Sequence, residues 1–176
     1  MIAALVRHPR PLIGPGICYG RLDLALHPDA AAQTEAICAR LADFGPRSLW
    51  ASPAARCRPA ALALASQAAI EPEFDLRLLE LDFGAWEGRP WSDIPRAALD
   101  RWAIDPPGFA APSGETGAAL IARVTGFHAL LRSRNEPCIV VAHAGPLKLL
   151  RALLENRPPD LLAPSPPIGS VALVSL

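Results

Sequence analysis

Residues 138–145 read Cys-Ile-Val-Val-Ala-His-Ala-Gly, five apolar residues followed directly by a histidine. Residues 2–8 have the same form, Ile-Ala-Ala-Leu-Val-Arg-His. An unbroken apolar run is typical of a parallel strand that is covered on both faces. Because the carboxyl ends of parallel strands meet at one edge of a sheet, we expect the two histidines to face one pocket. The two stretches therefore predict an α/β fold with its functional site at that edge.

Outward from these runs, short apolar segments alternate with segments of helical periodicity, which is the pattern of an α/β protein. We predict extended segments at positions 2–6, 48–51, 73–74, 76–81, 138–142 and 171–176. We predict helices at positions 27–43, 52–69, 96–102, 115–134 and 145–155. The sequence has no internal repeat and no long linker. We therefore predict one domain over 1–176, a three-layer α/β/α sandwich around a mostly parallel sheet.

The charge composition narrows the class of partner. The 176 residues include 17 basic and 17 acidic side chains, so the formal net charge is zero, and Lys148 is the only lysine. Without a basic run, we expect neither nucleic acid nor a membrane surface as a partner, but a small anion held by a few arginines. The apolar start is too short for a signal peptide, so we expect a cytoplasmic protein. The oligomeric state stays open, with a homodimer as one alternative.

The cysteines and histidines argue against a metal site. The cysteines stand at positions 18, 38, 57 and 138 and form no Cys-x-x-Cys pair, so we expect free thiols and no structural zinc. The four histidines lie far apart and form no His-x3-His pair, which disfavours a metallohydrolase. A cysteine phosphatase using Cys57 would need an arginine at position 63, where this chain has alanine. We expect no metal and no other cofactor.

Candidate catalytic side chains follow the predicted strands. Arg7 and His8 come after the first strand, His143 comes after the run at 138–142, Arg56 lies shortly beyond the second strand, and Glu80 lies in the extended segment before position 81. A guanidinium matches phosphate oxygens two at a time and keeps its charge. A neutral imidazole is a nucleophile at pH 7, and a partly desolvated carboxyl can protonate a leaving oxygen. These residues predict a phosphate site with a nucleophile and an acid.

Five motifs place these residues in a characteristic order: LVRH at 5–8, GRLDLAL at 20–26, SPAARCRPA at 52–60, ELDFGAWEG at 80–88 and VVAHAG at 140–145. In kind and order they resemble the motifs of the histidine phosphatases, also called the phosphoglycerate mutase-like superfamily. The resemblance implies the phosphoglycerate mutase-like fold. It also implies a phosphatase that needs no metal, because arginines supply the positive charge.

The resemblance also implies a role for each residue. His8 attacks phosphorus and forms a phosphohistidine. The three equatorial oxygens are held by Arg7, Arg56 and His143. Glu80 protonates the departing oxygen and then takes a proton from the attacking water. Substrate-binding residues are expected at Tyr19, Gly20, Arg21 and Ala144.

The stretch from Arg7 to Asp23 is similar to one branch of the family, the bacterial α-ribazole phosphatases of cobalamin synthesis. Arg-His-Pro at 7–9 and Cys-Tyr-Gly-Arg at 18–21 carry this similarity. It implies α-ribazole 5′-phosphate or adenosylcobalamin 5′-phosphate as substrate. The alternatives are another sugar or nucleotide phosphate, or a non-catalytic protein that binds a phosphorylated ligand. The second alternative is prompted by Pro9, which replaces the family's glycine and removes a backbone donor.

Other polar side chains near the motifs have structural interpretations. Asp82 is a rival to Glu80, and only the motif favours Glu80. His128 lies on the apolar stripe of its helix, so we interpret it as a core residue, and Arg58 is predicted to be solvated. Three tryptophans could pack the core or wall a pocket, at positions 86, 91 and 102.

Overall fold

The structure, a computed structural model, describes residues 2–175. Within that range five strands form one sheet in the order β3-β2-β4-β1-β5. Their bounds are Ile2–Arg7 for β1, Ser48–Ala51 for β2, Pro72–Phe74 for β3, Cys138–Ala142 for β4 and Val171–Ser175 for β5. All pairs are parallel except β1 with β5, which confirms the mostly parallel sheet. Position 176, the end of the last predicted strand, lies outside the described residues.

The helices cover both faces of the sheet. Their bounds are Ala30–Arg40 for α1, Arg58–Ala68 for α2, Arg96–Ile104 for α3, Gly117–Arg134 for α4 and Ala144–Leu154 for α5. One apolar cluster joins the sheet to α1 and α2, and a second joins the other face to α4 and α5. The predicted three-layer sandwich is confirmed. None of the helices between residues 2 and 175 is long and apolar enough to cross a membrane.

Strand β4, residues 138–142, is apolar throughout because both of its faces are covered. Its five residues are all buried. Successive side chains of a strand point to opposite faces, so Val140 packs in the cluster under α4 and α5, and Val141 packs in the cluster under α1 and α2. In β1, Leu5 and Val6 divide in the same way. A central strand in a sheet covered on both faces has no solvent-facing side.

The helix predicted over 27–43 is shorter and spans Ala30–Arg40, and two further predicted boundaries were wrong. The helix predicted over 52–69 begins at Arg58, because residues 52–57 form a turn in which the Asp23 carboxylate accepts from the backbone N–H of Ala55 at 3.0 Å. The segment predicted as extended over 76–81 begins with a 3₁₀ turn at Leu76–Leu78, where the Asp75 side chain caps the first turn. Glu80 therefore lies in an irregular loop and not on a strand.

Candidate active site

The two histidines that end the apolar runs meet at the carboxyl edge of the sheet. Strands β1 and β4 are parallel neighbours with Arg7 opposite Ala142, so His8 and His143 leave the sheet side by side. Their ring centroids are 5.0 Å apart, with the planes inclined by 62°. Both side chains are buried. The structure thus brings together the two imidazoles that the sequence placed at strand ends.

The ring of His8 has one nitrogen engaged and one free. Nδ1 lies 2.7 Å from the carbonyl oxygen of Pro9, and because a carbonyl only accepts, Nδ1 carries the proton and donates. Nε2 therefore keeps its lone pair. Burial lowers the pKa of His8 to about 3, helped by the charges of Arg56 and Arg7. The side chain lines the cavity as a neutral imidazole at pH 7, which is the state that a nucleophile requires.

The ring of His143 is engaged at both nitrogens. Nδ1 accepts from Nε of Arg56 at 3.2 Å, so Nε2 carries the proton and donates to Oγ of Ser52 at 2.8 Å. Burial holds the pKa of His143 well below its usual range, and the Arg56 charge adds to this effect. In this arrangement His143 is a neutral ring, fixed edge-on beside His8.

Arg56 is a fully buried cation held by the protein itself. Its two terminal nitrogens donate to the carbonyl oxygens of Leu22 at 2.8 Å and Gly20 at 2.6 Å, and Nε donates to His143. A guanidinium has five N–H groups, so one remains on each terminal nitrogen. Neither Arg56 nor His143 lines the cavity. They support it from behind, and their contact with phosphate oxygens stays a prediction.

Glu80 is the carboxylate at the cavity, and its position depends on the start of α5. Its two oxygens accept from the backbone N–H groups of Leu81 at 2.9 Å and Gly145 at 3.1 Å. A Cβ at position 145 would lie 2.1 Å from Oε1 of Glu80, so any other residue there would displace the carboxylate from this position. The rival Asp82 accepts from the backbone N–H of Gly84 and lines a different, smaller cavity.

Positive charge at the cavity comes from Arg7, from Lys148 and from the start of α5. Arg7 donates from Nη1 to the carbonyl oxygen of Pro166 at 2.5 Å, and its Nε is buried with no acceptor among the described residues. Ala144, the first residue of the 11-residue helix α5, also lines the cavity. The N-terminus of a helix carries partial positive charge and attracts anions. Within residues 2–175, no group of three or more His, Cys, Asp or Glu side chains is arranged to hold a metal ion.

The cavity has a volume of about 310 Å³ and an aromatic wall. The wall consists of Phe83, Trp91 and Trp102. The rings of Trp91 and Trp102 are stacked, with centroids 6.0 Å apart and planes inclined by 9°. Phe83 meets both of them edge-on. Of the tryptophans that the sequence left open, these two wall the pocket, whereas Trp86 is buried in the aromatic cluster behind them.

The four predicted substrate-binding residues divide into two pairs. Two of them line the cavity, Tyr19 and Ala144. Gly20 does not, because it packs against the backbone of Leu81, where a Cβ would lie 1.9 Å from the carbonyl oxygen. Arg21 does not line the cavity either, and it donates from Nε to the carbonyl oxygen of Glu80 at 2.8 Å. Arg21 therefore supports the loop that carries Glu80.

Sequence reasoning missed several supporting residues. Glu87 accepts from the backbone N–H groups of Arg21, Leu22 and Phe83, and so ties two loops of the site together. Arg123 donates to the carbonyl oxygen of Glu80 at 3.0 Å, and nothing in the pattern of its helix indicates this. Ser52 directly follows β2, so its position at a strand end could have identified it, as it did the two histidines.

Comparisons with known proteins agree with this geometry. A family model described as the histidine phosphatase superfamily (branch 1) matches residues 3–174. Phosphoserine phosphatase 1 of Hydrogenobacter thermophilus is 28% identical over 156 residues, which are 85% of this chain and 74% of that protein. Among solved structures, the native mycobacterial glucosyl-3-phosphoglycerate phosphatase is 25% identical, with a TM-score of 0.78 over 89% of this chain and 80% of that one.

The α-ribazole phosphatase from Shigella flexneri is 24% identical and has a TM-score of 0.87, over 98% of this chain and 89% of that one. This likeness confirms the expected phosphoglycerate mutase-like fold. Because the family model spans nearly all of the sequence, the chain belongs to the histidine phosphatase superfamily, branch 1.

Proposed function

We propose that this chain is a phosphomonoesterase that works through a phosphohistidine on His8 and requires no metal ion. The observation that carries the proposal is the state of the His8 ring. Pro9 accepts the Nδ1 proton, burial keeps the ring neutral, and the side chain lines a cavity with Arg7 and Glu80. A neutral, oriented imidazole at a cationic cavity is suited to attack a phosphate ester.

In the first step, the lone pair on Nε2 of His8 forms a bond to phosphorus while the bond from phosphorus to the leaving oxygen breaks. Protonated Glu80 donates its proton to that oxygen, so an alcohol leaves. In the second step, water attacks the phosphohistidine and gives a proton to Glu80. The bond between Nε2 and phosphorus breaks, and phosphate and the neutral imidazole are restored.

The cationic groups stabilise the charge on the transferred phosphoryl group. Arg7 and the N-terminus of α5 lie at the cavity, and Arg56 has one N–H left on each terminal nitrogen. In a desolvated site such fixed charges stabilise the transition state strongly, because they need no reorganisation during the reaction. The ring of His143 lies edge-on beside that of His8. We propose that His143 also contacts an equatorial oxygen of the phosphoryl group.

For the substrate we propose α-ribazole 5′-phosphate or adenosylcobalamin 5′-phosphate. Phe83, Trp91 and Trp102 form an aromatic wall of the cavity. We assign this wall to the side where the leaving group binds. Aromatic faces and edges stack favourably with a planar ring system such as that of α-ribazole. A small polar leaving group would gain little from this wall. The similarity around residues 7–23 and the α-ribazole phosphatase among the structural neighbours are consistent with this substrate.

Two alternatives remain as outcomes of the tests. The same mechanism could act on another sugar or nucleotide phosphate, and the related proteins are named for phosphoserine and glucosyl-3-phosphoglycerate. A non-catalytic protein is the other alternative, because Pro9 lacks the N–H of a glycine. The carbonyl oxygen of Pro9 holds the ring of His8, which favours the enzyme.

The mechanism is tested with p-nitrophenyl phosphate in the presence of EDTA. We expect the wild type to turn over the substrate and the His8→Ala variant to be inactive. His128→Ala is the matched control, because His128 lies half-buried on α4 and does not line the cavity. Acid-quenched samples of the wild type should show a phosphoryl group on His8 by mass spectrometry. Equal activity of the wild type and His8→Ala, or an inactive wild type, would overturn the mechanism.

The substrate is tested by comparing kcat/KM for α-ribazole 5′-phosphate, adenosylcobalamin 5′-phosphate, phosphoserine and glucosyl-3-phosphoglycerate. We expect one of the first two to be the best substrate. If phosphoserine or glucosyl-3-phosphoglycerate is turned over faster than both, the mechanism stands and the substrate assignment fails.

A further inference from the structure

The connection between α5 and β5 covers one side of the active-site cavity without regular secondary structure of its own. We refer to residues 158–167 as the covering segment; five of its ten residues are prolines. Within residues 2–175 it belongs to no helix or strand. Two of its residues, Leu161 and Ser165, line the active-site cavity. Proline removes backbone donors, so this segment depends on side chains from elsewhere for its position.

Two cationic side chains hold the covering segment. Lys148 donates from Nζ to the carbonyl oxygens of Leu161 at 2.5 Å and Ala163 at 3.2 Å. Arg7 donates from Nη1 to the carbonyl oxygen of Pro166 at 2.5 Å. Lys148 therefore holds the first half of the segment, and the second half supplies the side-chain acceptor of Arg7.

Lys148 also separates two cavities. It lies on α5, one helical turn after Ala144, and it lines both the active-site cavity and a second cavity of about 410 Å³. The second cavity lies between α5 and β5, with Leu147, Ala152 and Ala172 among its lining residues. Ser165 of the covering segment is the other residue common to both cavities. The segment thus spans a space that has no packed core beneath it.

We propose that Lys148 is a positioning residue that holds the covering segment and, through the Pro166 carbonyl, orients Arg7 toward the phosphoryl group. The inference rests on the proposed function, since it assigns Arg7 to phosphate. Without Lys148, two partly buried carbonyl oxygens lose their side-chain donor, and the segment is free to shift into the second cavity. Arg7 would then lose its fixed acceptor, and its charge would no longer be preorganised.

A double-mutant cycle separates this role from a direct contact between Lys148 and phosphate. The variants are Lys148→Met, Arg7→Met and the double variant. The measurements are kcat/KM for p-nitrophenyl phosphate and Kd for inorganic phosphate. We expect Lys148→Met to lose about tenfold in the wild-type background and less than about twofold when Arg7 is already methionine, because coupled residues are not additive. A tenfold loss in both backgrounds, or none in either, would overturn the inference.

Rescue and a matched control test the same role. Lys148→Arg keeps a long side chain with N–H donors, so it should restore most of the kcat/KM that Lys148→Met loses. Arg151→Met is the control, because Arg151 lies on α5 and lines the second cavity, but its Nε donates to Glu155 and not to the covering segment. We expect its kinetics to match the wild type. An Arg151→Met loss as large as that of Lys148→Met would show that any change of charge on this helix has the effect, and would overturn the inference.

Hydrogen exchange tests, without any measurement of turnover, whether Lys148 holds the covering segment in place. The amides of the covering segment should exchange faster in Lys148→Met than in the wild type or in Arg151→Met. Unchanged exchange would overturn the inference even if activity fell. If the wild type proves inactive, the proposed function fails separately, and exchange together with phosphate affinity still decides what Lys148 does.

Discussion

The site has two ends that are built in different ways. At the end that we propose binds the phosphoryl group (the phosphate end), His8 and His143 directly follow neighbouring strands, and Arg56 lies shortly after a third. These side chains are buried, and their hydrogen bonds to neighbouring groups hold them in place. At the end that we propose meets the leaving group (the leaving-group end), Trp91 and Trp102 come from a short turn and a helix far from those strands in sequence, and they are only half-buried.

The two ends have different proposed roles. The phosphate end carries out the chemistry, and the leaving-group end decides which substrate is accepted. Every phosphomonoester presents the same phosphoryl group, so the end that binds it can be rigid and desolvated. Leaving groups differ, and the end that meets them is assembled from loops, which can vary while the fold is kept. Relatives with this fold are named for substrates as different as phosphoserine and α-ribazole phosphate.

After the loss of His8, the largest effect is expected from Glu80, the proposed acid. Glu80→Gln should lower kcat/KM by about 10²- to 10⁴-fold for an alkyl phosphate, because the alkoxide cannot leave without a proton. The loss should be much smaller for p-nitrophenyl phosphate, whose leaving group is stable as an anion. Asp82→Asn is the control and should retain wild-type activity. Equal losses for the two substrates would contradict the assignment of Glu80 as the acid.

The next largest loss of activity is expected from substitution of Arg56. Arg56→Met should reduce kcat/KM by about 10²- to 10³-fold, the range found when one electrostatic donor is removed from a transition state. It should also lower the melting temperature, because the carbonyl oxygens of Gly20 and Leu22 lose their donor. Arg58→Met changes an exposed arginine two residues away and is the control. Activity of Arg56→Met within tenfold of the wild type would mean that Arg56 serves the fold alone.

The buried imidazole of His8 should make stability depend on pH. Its pKa is lowered from 6.5 to about 3 in the folded chain, so between these values the unfolded chain binds the extra proton at this position. The free energy of unfolding should therefore fall as pH falls through this window, by up to about 1.4 kcal/mol per pH unit from this group. Urea unfolding at several pH values should show a shallower dependence for His8→Gln. Parallel curves would contradict the buried, neutral state of the ring.

The smallest effect is expected at the leaving-group end. Trp91→Leu should raise KM for aryl phosphates about two- to tenfold, the size of an aromatic contact, with kcat unchanged. KM for glycerol phosphate should not move. Trp50→Phe is the control, because Trp50 packs against Phe127 in the core and should affect stability alone. A similar KM change for both kinds of substrate would show that the aromatic wall does not read the leaving group.

The apolar runs in the sequence were enough to predict the sheet and the positions of the two histidines at its carboxyl edge. Buried parallel strands require unbroken apolar runs, and the residue that follows such a run emerges at the carboxyl edge of the sheet. Both requirements are local, so the positions of His8 and His143 follow from short stretches of sequence. The start of α2 and the turn at Leu76–Leu78 were predicted wrongly, because side-chain contacts from Asp23 and Asp75 decide them.

Tertiary packing was needed to show that Glu80 and not Asp82 lines the cavity, that Arg21 does not line it, and that aromatic side chains form one of its walls. Glu80 is held by Gly145, 65 residues away in the chain, and Lys148 holds a proline-rich segment that has no periodic pattern. Such contacts depend on how distant segments pack. Hydrophobic periodicity records which face of an element is buried, but it carries no information about which distant partner meets that face.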